Sequence, residues 1–366
     1  MDENISFSFQ NFAHLKNLSL NDLEAIRLIL RGGSVVDWRR LNFDSRNEID
    51  NFLSINGYNI NNPKDTDRLY TLHRKALNYI EENFQYNMPG KVSNIDSVYD
   101  LFEMASDWKN FNRDQVLSCV VLKVMNIINH LEGRELLYTL PISFRSFSHI
   151  VTERVISRIN ELKQHHCPIV EISGGEKTKN SLITKLLLKK DTIAATVFDR
   201  LRFRLVVEKK SNIIPMLYHL TRELFPFNYI IPGESQNDLI DYIEFLQGDS
   251  YAQKYIKDLQ VNIGLEEESK VIRLKEIMKK NPFSAKNFRT MNFVFDLPIK
   301  ILDYFPEFED RLDEETGYLV FALAEIQLID AKTSDENERG EANHDKYSER
   351  KLEKAWNRLV KGTKEI

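Results

Sequence analysis

The feature that most constrains this chain is a change of hydrophobic period near residue 165. Before it, apolar residues recur every three or four positions through one run after another, which is the spacing of amphipathic helices. After it, short apolar runs of strand length alternate with helical ones, and that alternation requires a sheet with helices packed on it.

In the first part, Ser19-Leu20-Asn21-Asp22 opens a helix that Gly32-Gly33 closes. Ser45-Arg46-Asn47-Glu48 has the spacing of a capping box, and Asn56-Gly57 ends the segment it starts. Periodic runs follow at 65–86, 95–108, 113–138 and 146–165. In the third of these, Leu117, Val120, Val121, Met125 and Ile128 form the stripe of a core helix. Residues 1–165 therefore read as an all-α domain.

The second part, 166–330, reads as α+β, a mixed β-sheet flanked by helices. Strands are expected at Cys167–Ile172, Arg202–Glu208, Phe227–Ile231, Met291–Lys300 and Tyr318–Ile329. Helices are expected at Lys177–Lys190 and at Ser211–Leu224, where Pro215 falls in the tolerated first turn. A helical insertion occupies about 235–285. Residues 331–348 are polar and aperiodic and read as a flexible linker within a tail spanning 331–366. The last helix, 349–361, carries Leu352, Trp356 and Leu359 on one face, which is expected to dock on this chain or on a partner.

Composition narrows the function classes. A chain of 366 residues with 42% hydrophobic and 29% charged residues is globular and long enough for two cores. Its two cysteines, Cys119 and Cys167, build neither a disulfide framework nor a zinc site. Met1-Asp2-Glu3-Asn4 does not start a secretory signal, and the apolar stretch Val116–Ile128 is short and broken by Lys123. A cytoplasmic chain without a membrane partner is expected. The net charge of −5 speaks against a broad nucleic-acid footprint.

Three segments carry candidate chemistry. Lys177, Ser181, Lys185 and Lys189, four apart, line one face of the expected helix, while Leu182, Ile183, Leu186 and Leu187 face a core. A row of ammonium groups with a hydroxyl suits a polyphosphate; a solvated face is the plainer reading. Ser173-Gly174-Gly175-Glu176-Lys177 lacks the second glycine of a Walker A loop. In the strand after Asp199, Arg202 and Arg204 share one face, with Phe203, Leu205 and Val207 on the other. Glu325 and Gln327 lie on a strand apolar on both faces, so the carboxylate needs a cation or a donor. Two acidic residues on separate strands beside a lysine-lined helix can hold Mg²⁺ and a triphosphate.

These pieces, in this order, resemble the synthetase domain of RelA/SpoT-like alarmone enzymes. The resemblance rests on Lys177, Ser181 and Lys185, on Asp199 with Arg204, on Tyr229-Ile230-Ile231-Pro232, and on Glu325-Ile326-Gln327. It implies transfer of pyrophosphate from ATP to the 3′-hydroxyl of a nucleotide. It implies Asp199 and Glu325 as catalytic and Mg²⁺-binding residues, with Lys177, Ser181, Lys185, Arg204 and Gln327 around the nucleotides and Phe288 stacking on a base. The sequence departs from the family pattern at Gly175, Asn292 and Ile329, where arginine, histidine and arginine are usual, so the acceptor is left open. The alternatives are a nucleotide sensor without turnover and a transferase acting on RNA. The helical region resembles a bacterial family in which such a region is fused to a domain of this type. There, His130, Glu132 and Arg134 are either functional or, more simply, satisfied structural residues. The oligomeric state is open.

Overall fold

A computed structural model describes residues 20–31, 41, 43–107, 112–165, 167–188, 201–240, 288–339 and 344–361. Seven helices come first: α1 Leu20–Arg31, α2 Arg46–Ile55, α3 Pro63–Phe84, α4 Gly90–Ser93, α5 Val98–Ser106, α6 Arg113–Thr139 and α7 Phe144–Gln164. Their starts follow local capping chemistry. Ser45 accepts from the Glu48 amide, and Asn112 from the Gln115 amide at 2.9 Å. The Glu48 carboxylate reaches back to the Asp44 amide, one residue before the cap.

A sheet follows. Strands β1 Ile169–Glu176, β2 Leu201–Val207, β3 Gln236–Asn237, β4 Met291–Lys300 and β5 Leu319–Asp330 lie in the order β1-β2-β5-β4-β3. Among the described strands the β2·β5 pairing is parallel, while β1·β2, β4·β5 and β3·β4 are antiparallel. The architecture is thus α+β with a mixed sheet flanked by helices. β5 is central, as its two apolar faces require. Helices α8 Lys179–Leu188 and α9 Ile213–Glu223 sit between strands, and α10 Ala331–Glu338 and α11 His344–Leu359 close the chain.

The apolar side chains form two clusters. One joins Phe203, Leu205, Phe293, Phe295, Ile326 and Leu328 of the sheet to α9, α7 and α1. The other fills the space among α2, α3, α5 and α6 and takes in Leu319 and Phe227. Helix α6 is long and apolar enough to cross a bilayer by length and composition alone. Here it packs between α3, α5 and β5 through Val121, Met125, Gly133 and Leu136. At Gly133 it lies so close to β5 that a Cβ would stand 2.5 Å from the Phe321 ring and 2.7 Å from the Leu319 carbonyl oxygen. Val120, expected in the core stripe, is exposed on the opposite side.

Buried ions fasten the helices to the sheet. Arg68 of α3, 1% exposed, donates to the carbonyls of Glu314 and Glu315 just before β5, both at 2.9 Å, and to Glu132 of α6 at 2.6 Å. Arg222 of α9 grips Asp22 of α1 with two hydrogen bonds of 2.9 and 3.0 Å.

Several expectations are corrected. Phe227–Tyr229 is a 3-10 turn rather than a strand, because Asn228 turns back into the helical region; Ile230 then makes a single bridge to Phe295. Residues 331–338 form α10 instead of a linker, because Asp330 caps them by accepting from the Thr333 amide and hydroxyl. Helix α8 buries none of its residues fully, and Ile183 is exposed. Helix α11 packs on α8 through a face containing Ala355, so Leu352, Trp356 and Leu359 point to solvent. The expected insertion falls mostly in 241–287, outside the described residues.

Candidate functional site

The site is one face of the sheet. Cross-strand register fixes which side chains share it. Arg202 lies opposite Glu325 and Arg204 opposite Gln327. Gln327 lies opposite Asn292, and Asn292 opposite Gln236. A row of polar side chains therefore crosses β2, β5, β4 and β3, while the other face is packed with Phe203, Ile326 and Phe293. Toward the start of β5 the same face is covered by α6, against Leu319 and Phe321; toward its end α10 packs on β5 and Ile329 is buried again at 1%. Glu325 and Gln327 lie between these two covers.

Glu325 is the centre of the charge pattern. Its Oε2 accepts from Lys177 Nζ at 2.7 Å and from Arg202 Nε at 3.0 Å, and its Oε1 accepts from Arg202 Nη2 at 2.8 Å. Its side chain is 8% exposed, against 14% for Lys177 and 48% for Arg202. Burial pushes its carboxyl upward, but the fields of Arg202 and Lys177 outweigh burial and hold it below the usual carboxylate range. The group is thus ionised at neutral pH, as the sequence argument from cost requires.

Lys177 sits just past β1 and before α8, not on the helix face inferred from four-residue spacing. Strand β1 runs further than expected, through Ser173-Gly174-Gly175, because Gly174 lets it lie against β2. A Cβ there would meet the Arg202 carbonyl oxygen at 2.5 Å. That extension carries Lys177 to the sheet. Thr178 then caps α8, accepting from the Ser181 amide at 3.3 Å and exchanging a hydrogen bond with the Ser181 hydroxyl at 2.9 Å. Ser181 is exposed at the helix start, and Lys185 lies half-buried one turn further.

Arg204 is held by α10. Its Nη2 donates to Ser334 Oγ at 2.8 Å and to Glu338 Oε1 at 3.1 Å, while its Nε is buried without a hydrogen-bond partner. Gln327 donates to Thr290 Oγ1 at 3.0 Å, and Thr290 in turn to Asn292 Oδ1 at 2.9 Å. Phe288 is half-buried just before β4. The structure therefore joins Lys177, Arg202 and Glu325, places Arg204 and Gln327 on the next register pair, and leaves Ser181 and Lys185 on α8. Asp199 and Lys189 lie outside the described residues.

The alternation of Arg202 and Arg204 puts Arg202 on the right face in the sequence, but only the parallel register with β5 pairs it with Glu325. A second polar pairing closes the covered end of the face. Asp296 of β4, 2% exposed, accepts from His130 Nε2 at 2.6 Å and from Arg134 Nη1 at 3.3 Å, both on α6. Glu132 instead pairs with Arg68 and Lys75, away from the sheet's polar row.

As a magnesium site the described residues do not suffice. Both Glu325 oxygens are taken by cations, and no cluster of three or more His, Cys, Asp or Glu side chains that could hold a metal occurs among the described residues. The arrangement suits an anion: a lysine and an arginine held ready around one carboxylate, with a second arginine alongside.

No family model matches the chain, and no curated protein does. Among solved structures, it is similar to small alarmone synthetase 1 from Bacillus subtilis, with a TM-score of 0.32 and 12% identity over 59% of this chain and 85% of that one. The same protein bound to its product pppGpp gives 0.29 and 11%, over 63% and 100%. A GTP pyrophosphokinase family protein from Streptococcus pneumoniae gives 0.28 and 13%, over 60% and 89%. Likenesses at these scores carry no statement of activity, which must come from this chain's own residues.

Proposed function

We propose that the polar face of the sheet binds a nucleoside triphosphate and transfers pyrophosphate from ATP to a nucleotide 3′-hydroxyl. The observation that carries this reading is the convergence of Lys177 and Arg202 on the buried carboxylate of Glu325. Two cations clamped on one internal anion are preorganised for a stronger external one, because their positions are fixed before the ligand arrives. A triphosphate takes over the donors of Lys177 and Arg202, with Ser181 in the first turn and Lys185 in the last turn of α8 reaching its outer oxygens. Arg204 joins when its contacts with Ser334 and Glu338 yield. Gln327 and Phe288, at the β4 side, orient the second nucleotide by hydrogen bond and ring stacking.

Release of its cations leaves Glu325 as an acceptor for the attacking hydroxyl. Once those cations are drawn to the phosphates, burial alone acts on its carboxyl and pushes it upward, which strengthens it as a base, while most of the effect still comes from positioning and charge stabilisation, as in phosphoryl transfer generally. Bound magnesium would supply neutralisation of the phosphate charge. With both Glu325 oxygens occupied, no step here is routed through it, and the contribution of Asp199 is proposed from the sequence pattern alone.

A second reading is favoured by the same contacts: if the Glu325 pairing persists with nucleotide bound, the protein senses nucleotides without turnover. One experiment separates the two. The full chain is incubated with Mg²⁺ and ATP labelled on its terminal phosphates, with GDP, GTP, ADP, AMP or tRNA as acceptor. A labelled product that disappears in Glu325→Gln and Asp199→Asn supports transfer and names the acceptor. Nucleotide binding without product supports the sensor. Neither binding nor product overturns both.

A further inference from the structure

We infer that the helical region holds a binding pocket for a small uncharged aromatic molecule carrying one hydrogen-bond donor. The pocket is separate from the polar face of the sheet. It is a half-open cavity of about 90 Å³ among α2, α3, α5 and α6, floored by Asn228 and Tyr229. Its walls are apolar, with Leu53, Leu72, Phe102 and Met125 among them. This is smaller than the ~150 Å³ closed cavity that accepts benzene, but the open side lets a single ring enter with its far edge in the mouth.

The floor is unlike the walls. Four asparagines and two tyrosines meet there. Asn228 Nδ2 donates to Asn56 Oδ1 at 2.8 Å and to Asn126 Oδ1 at 2.6 Å. Tyr58 donates to Asn129 Oδ1 at 2.7 Å, and Asn129 Nδ2 donates to the Tyr229 hydroxyl at 3.0 Å. Burial keeps both tyrosines neutral by raising their pKa values. One acceptor is left over: Asn228 Oδ1 is buried with no hydrogen-bond partner, on a residue only 8% exposed. A buried amide oxygen without a donor is costly. Water is a poor remedy, because a trapped water needs two to four polar partners and these walls offer few.

The ligand chemistry follows. The body is apolar and ring-sized, to fill walls of Leu, Phe and Met. One end carries an O–H or N–H for Asn228 Oδ1, which is closed off from the cavity and is met once the amide turns away from Asn56 and Asn126. The body is uncharged, because the floor is built of neutral amides and phenols. Among the described lining residues Lys123 carries a charge, so a carboxylate ligand is the competing chemistry that the test must separate.

The test compares p-cresol, 4-methylanisole and p-toluate on the full chain by ligand-observed NMR titration and thermal shift. These share one ring and differ in donor and charge. The expected result is that p-cresol binds about tenfold tighter than 4-methylanisole, the factor for one neutral hydrogen bond. It raises Tm, and p-toluate binds more weakly than either. Leu122→Trp, which places an indole at the half-buried mouth, abolishes p-cresol binding while the free variant keeps a cooperative transition. If that variant does not fold, the ligand series on the unaltered chain decides. No p-cresol binding up to its solubility limit, equal binding of p-cresol and 4-methylanisole, tightest binding of p-toluate, or unimpaired binding by folded Leu122→Trp overturns the proposal.

Discussion

Replacing Glu325 by Gln removes the negative charge between Lys177 and Arg202 while keeping the side chain's size. Two consequences of opposite sign follow. Folding stability falls, because a nearly buried lysine and a half-exposed arginine both lose their ion pair with Glu325. The Lys177 contact counts near the full value of a charge-assisted hydrogen bond, about 1.5–3 kcal/mol. The Arg202 contact, at 48% exposure, is discounted for solvent screening to at most about 1 kcal/mol. The expected loss is therefore about 2–3 kcal/mol. Polyphosphate binding strengthens, because one internal anion competing for the two cations is removed. A unit charge ~8 Å from a phosphate at an effective dielectric constant of ~20 is worth about 2 kcal/mol, and after screening by salt the triphosphate affinity should rise about tenfold. The pH dependence gives an internal control. Because the folded pKa of Glu325 lies below its ordinary 4.5, its stabilisation is fully present above that value and is lost as pH falls through the folded value. Stabilities of wild type and Glu325→Gln should therefore converge on acidification below about pH 4.5. Urea unfolding at several pH values, with calorimetric titration of inorganic triphosphate at pH 7, measures both effects. Unchanged stability would show that the triad does not hold in solution. Weaker triphosphate binding in the variant would refute the view that Lys177 and Arg202 are a clamp kept in reserve.

Gly133→Ala should gain about 1 kcal/mol of helix propensity yet lose more to overpacking, for a net loss of about 1–2 kcal/mol, because the new methyl meets the Leu319 carbonyl oxygen and the Phe321 ring. A denaturation midpoint at or above wild type would mean that α6 does not press on β5. Asp22→Ala leaves Arg222 without its bidentate partner, and loss of a pair this deeply buried on one side should cost about 3 kcal/mol by urea unfolding. A change within experimental error would count against the α1–α9 link. Burial pushes the Cys167 thiol up to about 12, and Cys119 is buried as well, so neither should react with Ellman's reagent at pH 8 until denaturant is added. Prompt reaction of the native chain would contradict that packing.

The sequence by itself determined those features that depend on neighbours along the chain. The period of three to four set α1 to α3 and α5 to α7, because an amphipathic helix needs only its own stripe and its caps, while the single turn α4 is too short to show a period. The two-sided apolar run 318–329 marked the central strand, and the alternation of Arg202 with Phe203 and Leu205 marked a strand with one charged face. It also required a cation or a hydrogen-bond donor for Glu325, since a carboxylate on such a strand cannot stand unsatisfied. The tertiary structure alone decided which cations these are. Lys177 and Arg202 lie 148 and 123 positions from Glu325, and only the parallel register of β2 on β5, with the extension of β1, brings them together. It also decided that Arg204 is held by Ser334 and Glu338, because the polar segment after β5 becomes a helix once Asp330 caps it against the sheet. The amide floor beneath Asn228 was equally hidden. Its four asparagines are spread over residues 56–228, and no local period records a meeting that arises only where the helices close on the sheet.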